Sequence, residues 1–266
     1  MSAVLYESKD GIARITINRP EARNAINNEV VQGLQQAWLR FAQDDDRVAV
    51  VYGAGEQSFT SGADLKDLPR DVWLAMPNLS VPCDKPIIAA VCGFAVGAGS
   101  TLVMLSDMAV AEDDAKFIYP EAKIGAFAGI MAGFPPRIQY KAGLEWLMTG
   151  DPMTAQRAYE VGLVNRVVPK GQALAAAMEL AAKVAANAPL VVQATLTVAA
   201  AILLESGLSF LGLGIVPPEP SWGQMIGTAR GYLAQNPMYV IWPSLLLALT
   251  VLAINVVGDR LRDILD

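Results

Sequence analysis

Histidine is absent from the 266 residues of this sequence. Its absence excludes Ser-His-Asp catalysis, Cys-His catalysis and ordinary His-ligated zinc. Cysteine is scarce as well: eight residues separate Cys83 from Cys92, a spacing that is not typical of a metal site, and we interpret both as reduced thiols. No metal is therefore expected, and acid–base chemistry must come from Asp, Glu, Lys, Tyr or water.

Positive charge is also in short supply. The net charge of −6 gives no basic surface of the kind that binds nucleic acid, so nucleic acid is not an expected partner. The first residues contain an early acid and lack the apolar stretch of a signal peptide, which predicts a cytoplasmic location. The length is sufficient for one large core or two small ones.

The charges are unevenly distributed along the chain. Residues 1–186 carry 17 Lys and Arg and 21 Asp and Glu, whereas residues 187–266 carry only 3 and 5. The second part contains two uncharged runs, Ala188–Leu204 of 17 residues and Tyr239–Val257 of 19 residues. Runs of this length match membrane-spanning helices. Two buried core helices are the alternative interpretation.

Strand and helix patterns alternate over residues 1–186, which predicts an α/β fold. Short apolar or alternating runs predict strands at Ala13–Asn18, Val48–Tyr52, Pro86–Val91, Met108–Ala111 and Val164–Val168. Helical spacing of apolar residues predicts helices at Asn27–Phe41, Gly97–Leu105, Leu144–Thr149, Thr154–Val161 and Leu174–Ala186.

Two glycine-bearing stretches each follow a predicted strand, Phe59–Lys66 and Val91–Ser100. Small residues allow a ligand to approach the main chain closely, and N–H groups at a helix N-terminus stabilise negative charge. Two such N–H groups from separate loops would form an oxyanion hole for a thioester carbonyl that becomes an enolate. Structural glycines in strand–helix turns are the alternative for either stretch taken alone.

Five blocks in order resemble the crotonase (enoyl-CoA hydratase/isomerase) family. They read NRPEARNAI, SFTSGADLK, KPIIAAVCGFAVGAG, SDMAVAEDDAKFIYPEAKIG and TGDPMTAQRAYEVGLVNRVVP, and the resemblance covers about residues 3–186. It implies a spiral of ββα units, an acyl-CoA substrate whose coenzyme A is not a separate cofactor, and a homotrimer or hexamer. By motif position the oxyanion-hole donors are the N–H groups of Ala63 and Ala98.

The resemblance also implies the remaining site residues. Those expected to line the coenzyme A and the substrate are Ala22, Arg23, Gly62, Asp64, Leu65, Lys66, Gly97, Gly99 and Thr101. Hydratases of the family usually place two glutamates around a water, and the Pro-Glu pair supplies one of them as Glu121. The other falls on Thr101, so in a hydration one carboxylate would have to act both as base for the water and as acid for the α-carbon. The alternative is a different reaction, movement of a double bond, in which a single carboxylate takes and returns the proton as in the family's isomerases. A surface acid that caps a turn is the alternative for Glu121.

Residues 187–266 resemble a different family, the C-terminal part of dipeptide/oligopeptide ABC transporter permeases. The motifs are AILLE, LSFLGLG, PPEPSWG and GDRLRD. This permease-like, mostly helical and very hydrophobic segment stands where crotonases have helices that cover the active site and build the trimer. We predict a chimaera-like chain with a 1–186 acyl-CoA domain, a 187–266 segment and a junction within 186–197.

The predicted function is that of an enoyl-CoA hydratase/isomerase-type enzyme in which Glu121 shuttles the proton. Two alternatives belong to other classes: a non-catalytic CoA-binding protein, motivated by Thr101 and the missing cover helices, and a membrane transport component, motivated by residues 187–266. Membrane association is expected if that segment inserts.

Overall fold

The computed structural model describes residues 2–125, 137–187, 191–195 and 197–198, and the single positions 201, 238 and 242. The chain divides into two units between Ala200 and Ala201, and every element below belongs to the first. All of the predicted Tyr239–Val257 run except Trp242, about half of Ala188–Leu204 and part of the predicted junction lie outside the described residues. Among those that are described, no helix combines the length and apolarity needed to span a membrane.

A six-stranded sheet forms the centre of the fold, in the order β1-β2-β3-β5-β7-β10. Its strands are β1 (Val4–Lys9), β2 (Ile12–Ile17), β3 (Val48–Gly53), β5 (Ile87–Val91), β7 (Met108–Glu112) and β10 (Arg166–Val168). Only β1 and β2 pair antiparallel, and the other neighbours are parallel. All five predicted strands are confirmed, and β1 is an addition that the sequence pattern did not indicate.

Two helices explain why the parallel strands are apolar on both faces. In β3, Ala49 and Val51 lie in the main core with helix α1 (Asn28–Gln43), whereas Val48 and Val50 lie in a second core with helix α6 (Ala173–Ala185). Strands that are covered on both faces read as continuous hydrophobic runs because successive side chains point to opposite sides. The α6 face that packs on the sheet is a row of alanines at helical spacing.

Helix α1 begins as its sequence predicts. The Asn27 side chain accepts a hydrogen bond from the N–H of Val30 at 3.0 Å, which satisfies one of the unpaired donors of the first turn. Its apolar stripe of Val30, Val31, Leu34, Trp38 and Phe41 is buried, as the helical spacing indicates. The Trp38 indole donates to the Ala75 carbonyl at 2.8 Å, so its polar atom is also satisfied.

A second sheet has four short strands in the order β4-β6-β8-β9. They are β4 (Ser58–Thr60), β6 (Phe94–Val96), β8 (Lys116–Ile118) and β9 (Met153–Thr154), and β4, β6 and β8 are parallel. Helices α2 (Ala98–Leu105) and α3 (Glu121–Ile124) follow β6 and β8, while α4 (Tyr140–Thr149) and α5 (Ala155–Glu160) flank β9. The segments β5–β6–α2 and β7–β8–α3 are therefore two successive ββα units.

Candidate functional site

Three predicted site segments leave the second sheet at the same edge. Residues 61–66 follow β4, Gly97 follows β6, and Tyr119–Glu121 follow β8. Because β4, β6 and β8 are neighbouring parallel strands, their carboxyl ends meet at one edge. The second sheet is thus the element that brings the two glycine-bearing stretches and the Pro-Glu pair together.

The two glycine-bearing stretches are in direct contact. A β-carbon on Gly62 would lie 2.7 Å from the carbonyl oxygen of Val96, and one on Gly99 would lie 2.5 Å from the Thr60 Cγ2 atom. Both distances are shorter than any real side chain tolerates, so each position requires glycine for space. The contact places the loop that carries Ala63 beside the first turn of α2, which begins at Ala98.

The main-chain N–H groups of Ala63 and Ala98 lie outside the backbone ladders. The Ile26 N–H donates to the Gly62 carbonyl at 2.8 Å, and the Ile26 carbonyl accepts from the Asp64 N–H at 2.9 Å. These two bonds form a parallel bridge between Ile26 and Ala63, and the Ala63 N–H lies on the side of its chain that faces away from Ile26. Ala98 is the first residue of α2, where an N–H has no partner within the helix. Both residues are half-buried. Two such donors are suited to stabilise a developing oxyanion.

The Glu121 carboxylate lies next to Gly97, the residue before Ala98. Its Oε1 atom lies 3.0 Å from the β-carbon position of Gly97, whose next residue is Ala98. Its Oε2 atom is buried and has no hydrogen-bond partner within the described part of the chain. Burial raises the pKa of Glu121 above the ordinary 4.5, against the opposing effect of a backbone N–H. A carboxyl group with a raised pKa is suited to proton transfer.

Thr101, in α2, and Tyr119, two residues before Glu121, are both almost completely buried. The Thr101 hydroxyl group donates to the Gly97 carbonyl at 3.3 Å. Burial, and then the charge of Glu121, raise the pKa of Tyr119 to about 12. The position at which the family resemblance led us to expect a second glutamate is therefore occupied by the neutral side chain of Thr101.

The turn that contains Ala22 and Arg23 is held against the first glycine-bearing stretch. The Ser61 N–H donates to the Arg23 carbonyl at 3.0 Å. Asn24, which is buried, accepts from the Arg19 N–H through its Oδ1 atom at 3.0 Å and donates through Nδ2 to the Ser58 carbonyl at 2.8 Å. The residues predicted to line the coenzyme A thus share one side of the site.

Asp64 is held by the main chain and by Arg19. Its Oδ1 atom accepts from the Lys66 N–H at 3.0 Å, and its Oδ2 atom lies 3.0 Å from the Arg19 Nη1 atom. These two contacts, the backbone N–H first, lower the pKa of Asp64. The neighbouring side chains of Leu65 and Lys66 are exposed. These contacts hold Asp64 in place within the loop, whereas the side chains of Leu65 and Lys66 remain accessible to a ligand.

Sequence reasoning missed two residues of this arrangement, Arg19 and Asn24. Both lie inside the first of the five sequence blocks. Their closeness in sequence to Ala22 and Arg23 could have pointed to them. Their partners Asp64 and Ser58 are distant in the chain, so the sequence alone does not reveal these contacts. Among the described residues there is no group of three or more Cys, Asp or Glu side chains that could hold a metal ion.

Residues 7–203 match the family model described as enoyl-CoA hydratase/isomerase. The chain belongs to this family. It is therefore an acyl-CoA enzyme of the enoyl-CoA hydratase/isomerase type with a crotonase-like α/β fold. Residues 185–266 match a second model, described as the inner membrane component of binding-protein-dependent transport systems. The two matches overlap at residues 185–203.

Individual relatives agree with the family. The chain is 37% identical to an (E)-benzylidenesuccinyl-CoA hydratase of Thauera aromatica over 206 residues, which is 72% of this chain and 80% of the relative. A carnitinyl-CoA dehydratase structure from Mycobacterium avium 104 has a TM-score of 0.69 and 39% identity, with 75% of this chain and 81% of that one covered. A probable enoyl-CoA hydratase/isomerase from Mycobacterium abscessus has a TM-score of 0.70 and 40% identity, with 87% and 96% covered.

Proposed function

We propose that the enzyme transfers a proton at the α-carbon of an enoyl-CoA or 3-hydroxyacyl-CoA thioester. Glu121 is the acid–base group, and the N–H groups of Ala63 and Ala98 form the oxyanion hole. The observation that supports this most directly is the position of the Glu121 carboxyl group against Gly97, one residue from the Ala98 N–H. A base and an oxyanion donor this close together suit the removal of a proton next to a thioester carbonyl.

The chemistry follows from these positions. As Glu121 takes the α-proton, the electron pair of the C–H bond moves toward the carbonyl and negative charge develops on its oxygen. The two N–H groups stabilise that charge without reorganising, which is why donors of this kind contribute strongly to catalysis. The turn at Ala22 and Arg23 and the loop at Gly62–Lys66 bind the coenzyme A side of the substrate.

Two reactions are consistent with a single carboxylate. The names of the relatives, a hydratase and a dehydratase, support addition or removal of water, in which Glu121 serves as base for water and as acid for the α-carbon. Thr101 in place of a second carboxylate supports migration of the double bond as the second candidate. In that reaction one carboxylate takes and returns the proton.

The experiment compares hydration of crotonyl-CoA with isomerisation of a 3-enoyl-CoA, using the full chain and its Glu121→Gln variant. We expect the variant to lose about 10²-fold or more in kcat, the usual contribution of general acid–base catalysis. Glu145→Gln, on the exposed side of α4, is the matched control and should keep full activity. Unchanged activity of Glu121→Gln would contradict the role of Glu121. Binding of CoA thioesters without turnover in the unmodified chain would favour a non-catalytic CoA-binding protein.

We also propose that residues 187–266 are a permease-like segment attached to the 1–186 acyl-CoA domain, with the junction within 186–197. The overlap of the two family matches at 185–203 and the uncharged runs support this. Cell fractionation of the full chain is the test. We expect it in the membrane fraction, released by detergent but not by high salt; recovery in the fraction without membranes would overturn the proposal. The homotrimer or hexamer stays a prediction.

A further inference from the structure

Thr60 is the last residue of β4 and contacts both segments that carry the proposed oxyanion-hole donors. Its main chain pairs with Ala95 of β6 in the parallel ladder, and its side chain is 0% exposed. The second sheet therefore fixes the position of Thr60. A side chain on a paired strand can hold a neighbouring loop more exactly than a side chain on a loop can.

The hydroxyl group of Thr60 completes the hydrogen bonding at the start of the first glycine-bearing stretch. Its Oγ1 atom accepts from the Gly62 N–H at 3.1 Å, a bond that is buried. The N–H groups of Ser61 and Asp64 also have acceptors, which are main-chain carbonyl groups at 3.0 and 2.9 Å. Within the part of the chain that the structure describes, the Ala63 N–H has no acceptor. Between Ser61 and Asp64 it is therefore the donor that is left for a ligand.

The methyl group of the same side chain contacts the first turn of α2. A β-carbon on Gly99 would lie 2.5 Å from the Thr60 Cγ2 atom and 3.1 Å from the Thr60 carbonyl oxygen. Gly99 is the residue after Ala98, so Thr60 limits how closely this turn approaches β4. On the other loop, Gly62 is the residue before Ala63. One side chain thus contacts a direct neighbour of each proposed donor.

We propose that Thr60 is a positioning residue that sets the Ala63 N–H relative to the Ala98 N–H. This rests on the proposed function, because it assumes that these two groups form the oxyanion hole. Without the Thr60 hydroxyl group the Gly62 N–H is buried without an acceptor, and the loop has to move to find another. The Ala63 N–H moves with it. Such donors act only when they are aimed at the developing charge, and a misplacement of about 1 Å is enough to slow catalysis about 10²-fold.

The test compares Thr60→Val and Thr60→Ser in the full chain. Valine has the shape of threonine but lacks the hydroxyl group, whereas serine keeps the hydroxyl group and lacks the methyl group. We expect Thr60→Val to lose about 10-fold or more in kcat, with KM within about twofold, since the oxyanion hole acts on charge that develops during the reaction. Thr60→Ser should stay within about threefold of the unmodified kcat, because the Gly62 N–H keeps its acceptor. Unchanged kcat in Thr60→Val, or equal losses in the two variants, would overturn the positioning role.

Thr16→Val is the matched control for the loss of a buried threonine hydroxyl group. Thr16 is 4% exposed and lies in β2 of the large sheet, whereas Thr60 belongs to the second sheet. The kcat of Thr16→Val should not change. In every variant kcat is expressed per binding site for butyryl-CoA, a saturated thioester that is neither hydrated nor isomerised, so that a loss of folded protein does not lower it. An equal fall of kcat in Thr16→Val would show a general effect and would overturn the positioning role.

The infrared carbonyl stretch of bound, isotope-labelled butyryl-CoA distinguishes this inference from the proposed function. Two fixed N–H donors polarise the thioester carbonyl, so the stretch should lie at lower wavenumber in the unmodified chain than in water. Glu121→Gln should keep the full shift because it leaves the donors in place, whereas Thr60→Val should lose part of it. No shift in the unmodified chain would contradict the oxyanion hole and overturn both proposals. The same shift and the same kcat in Thr60→Val as in the unmodified chain would overturn the role of Thr60 alone.

Discussion

The Oε1 atom of Glu121 lies 3.0 Å from the point where a β-carbon would stand on Gly97. Gly97 has φ +50° and ψ −110°, a conformation that side-chain-bearing residues rarely adopt. Both the backbone turn and the carboxylate therefore require glycine at this position. The residue allows β6 to turn into α2 and at the same time allows the carboxyl group of Glu121, the proposed acid–base group, to approach the N-terminus of α2.

Replacing Gly97 with alanine should lower kcat about 10²-fold, since the new methyl group displaces the Glu121 carboxylate. Backbone strain should also destabilise the fold by about 1–2 kcal/mol. Gly162→Ala is the matched control: its φ is +83°, but no atom lies within 4 Å of the β-carbon position. That variant should share the strain and keep its kcat. Steady-state kinetics and thermal unfolding measure the two effects, and equal losses of kcat in both variants would contradict the contact.

The pH dependence of the reaction should follow the ionisation of Glu121. Because burial raises the pKa of this carboxyl group, the kcat for isomerisation should rise with pH through a midpoint above 4.5. Tyr119, with a pKa of about 12, should add no descending limb below about pH 10. The measurement is a pH–rate profile with a 3-enoyl-CoA substrate. A midpoint at or below the ordinary value would show that the group is not desolvated during turnover.

Because the pKa of Glu121 is raised, ionisation of this carboxyl group destabilises the fold. Ionisation of a paired carboxylate, whose pKa is lowered, has the opposite effect. The folded chain holds the Glu121 proton more tightly than the unfolded chain, so this group costs stability as the pH rises above the unfolded pKa of 4.5. Glu121→Gln should therefore melt at a higher temperature than the unmodified chain at pH 7. The difference should vanish below about pH 4, where both states are protonated. Equal melting temperatures at both pH values would contradict the buried charge.

The sequence predicted the elements that have strong periodicity and missed those that do not. Helix α1 and strands β2, β3, β5 and β7 of the large sheet follow from their apolar spacing, because each is long enough to show a period. Strands β4, β6 and β8 have three residues each, which is too short for a pattern to show. These are the strands that assemble the site. The candidate residues were therefore found through motif resemblance, while their mutual contacts came only from the structure.

Asn24 illustrates what neither pattern nor motif indicated. It is 1% exposed, has φ +57°, and bonds to Arg19, Ala54 and Ser58 through all the polar atoms of its side chain. Asparagine tolerates this left-handed conformation better than most residues, and its amide supplies the two donors that the carbonyl groups need. The partners are separated by as many as 34 positions in the chain, so sequence spacing does not reveal them.

Asn24→Asp should destabilise the fold by about 3–5 kcal/mol, because it places an unpaired charge against two carbonyl oxygens in a buried site. Gln36→Glu makes the same amide-to-carboxylate change on the exposed side of α1 and should shift stability by no more than about 0.5 kcal/mol. Denaturant unfolding at neutral pH measures both variants. Similar midpoints for the two would contradict the buried network around Asn24.

The ion pair between Arg19 and Asp64 should affect substrate use more than folding. It joins the turn before Ala22 to the loop that carries Ala63, and both side chains are largely shielded from solvent. Asp64→Asn keeps the shape of the side chain but removes its charge, so the loop loses its fixed position against the Arg19 guanidinium group. We expect kcat/KM for an enoyl-CoA to fall about 10-fold, since the coenzyme A contacts and the Ala63 N–H move together.

Glu179→Gln breaks an exposed pair with Lys183 on α6 and is the matched control. Exposed pairs of this type contribute little, so its kcat/KM should not change. An unchanged kcat/KM in Asp64→Asn would mean that the Lys66 N–H alone holds the loop in place.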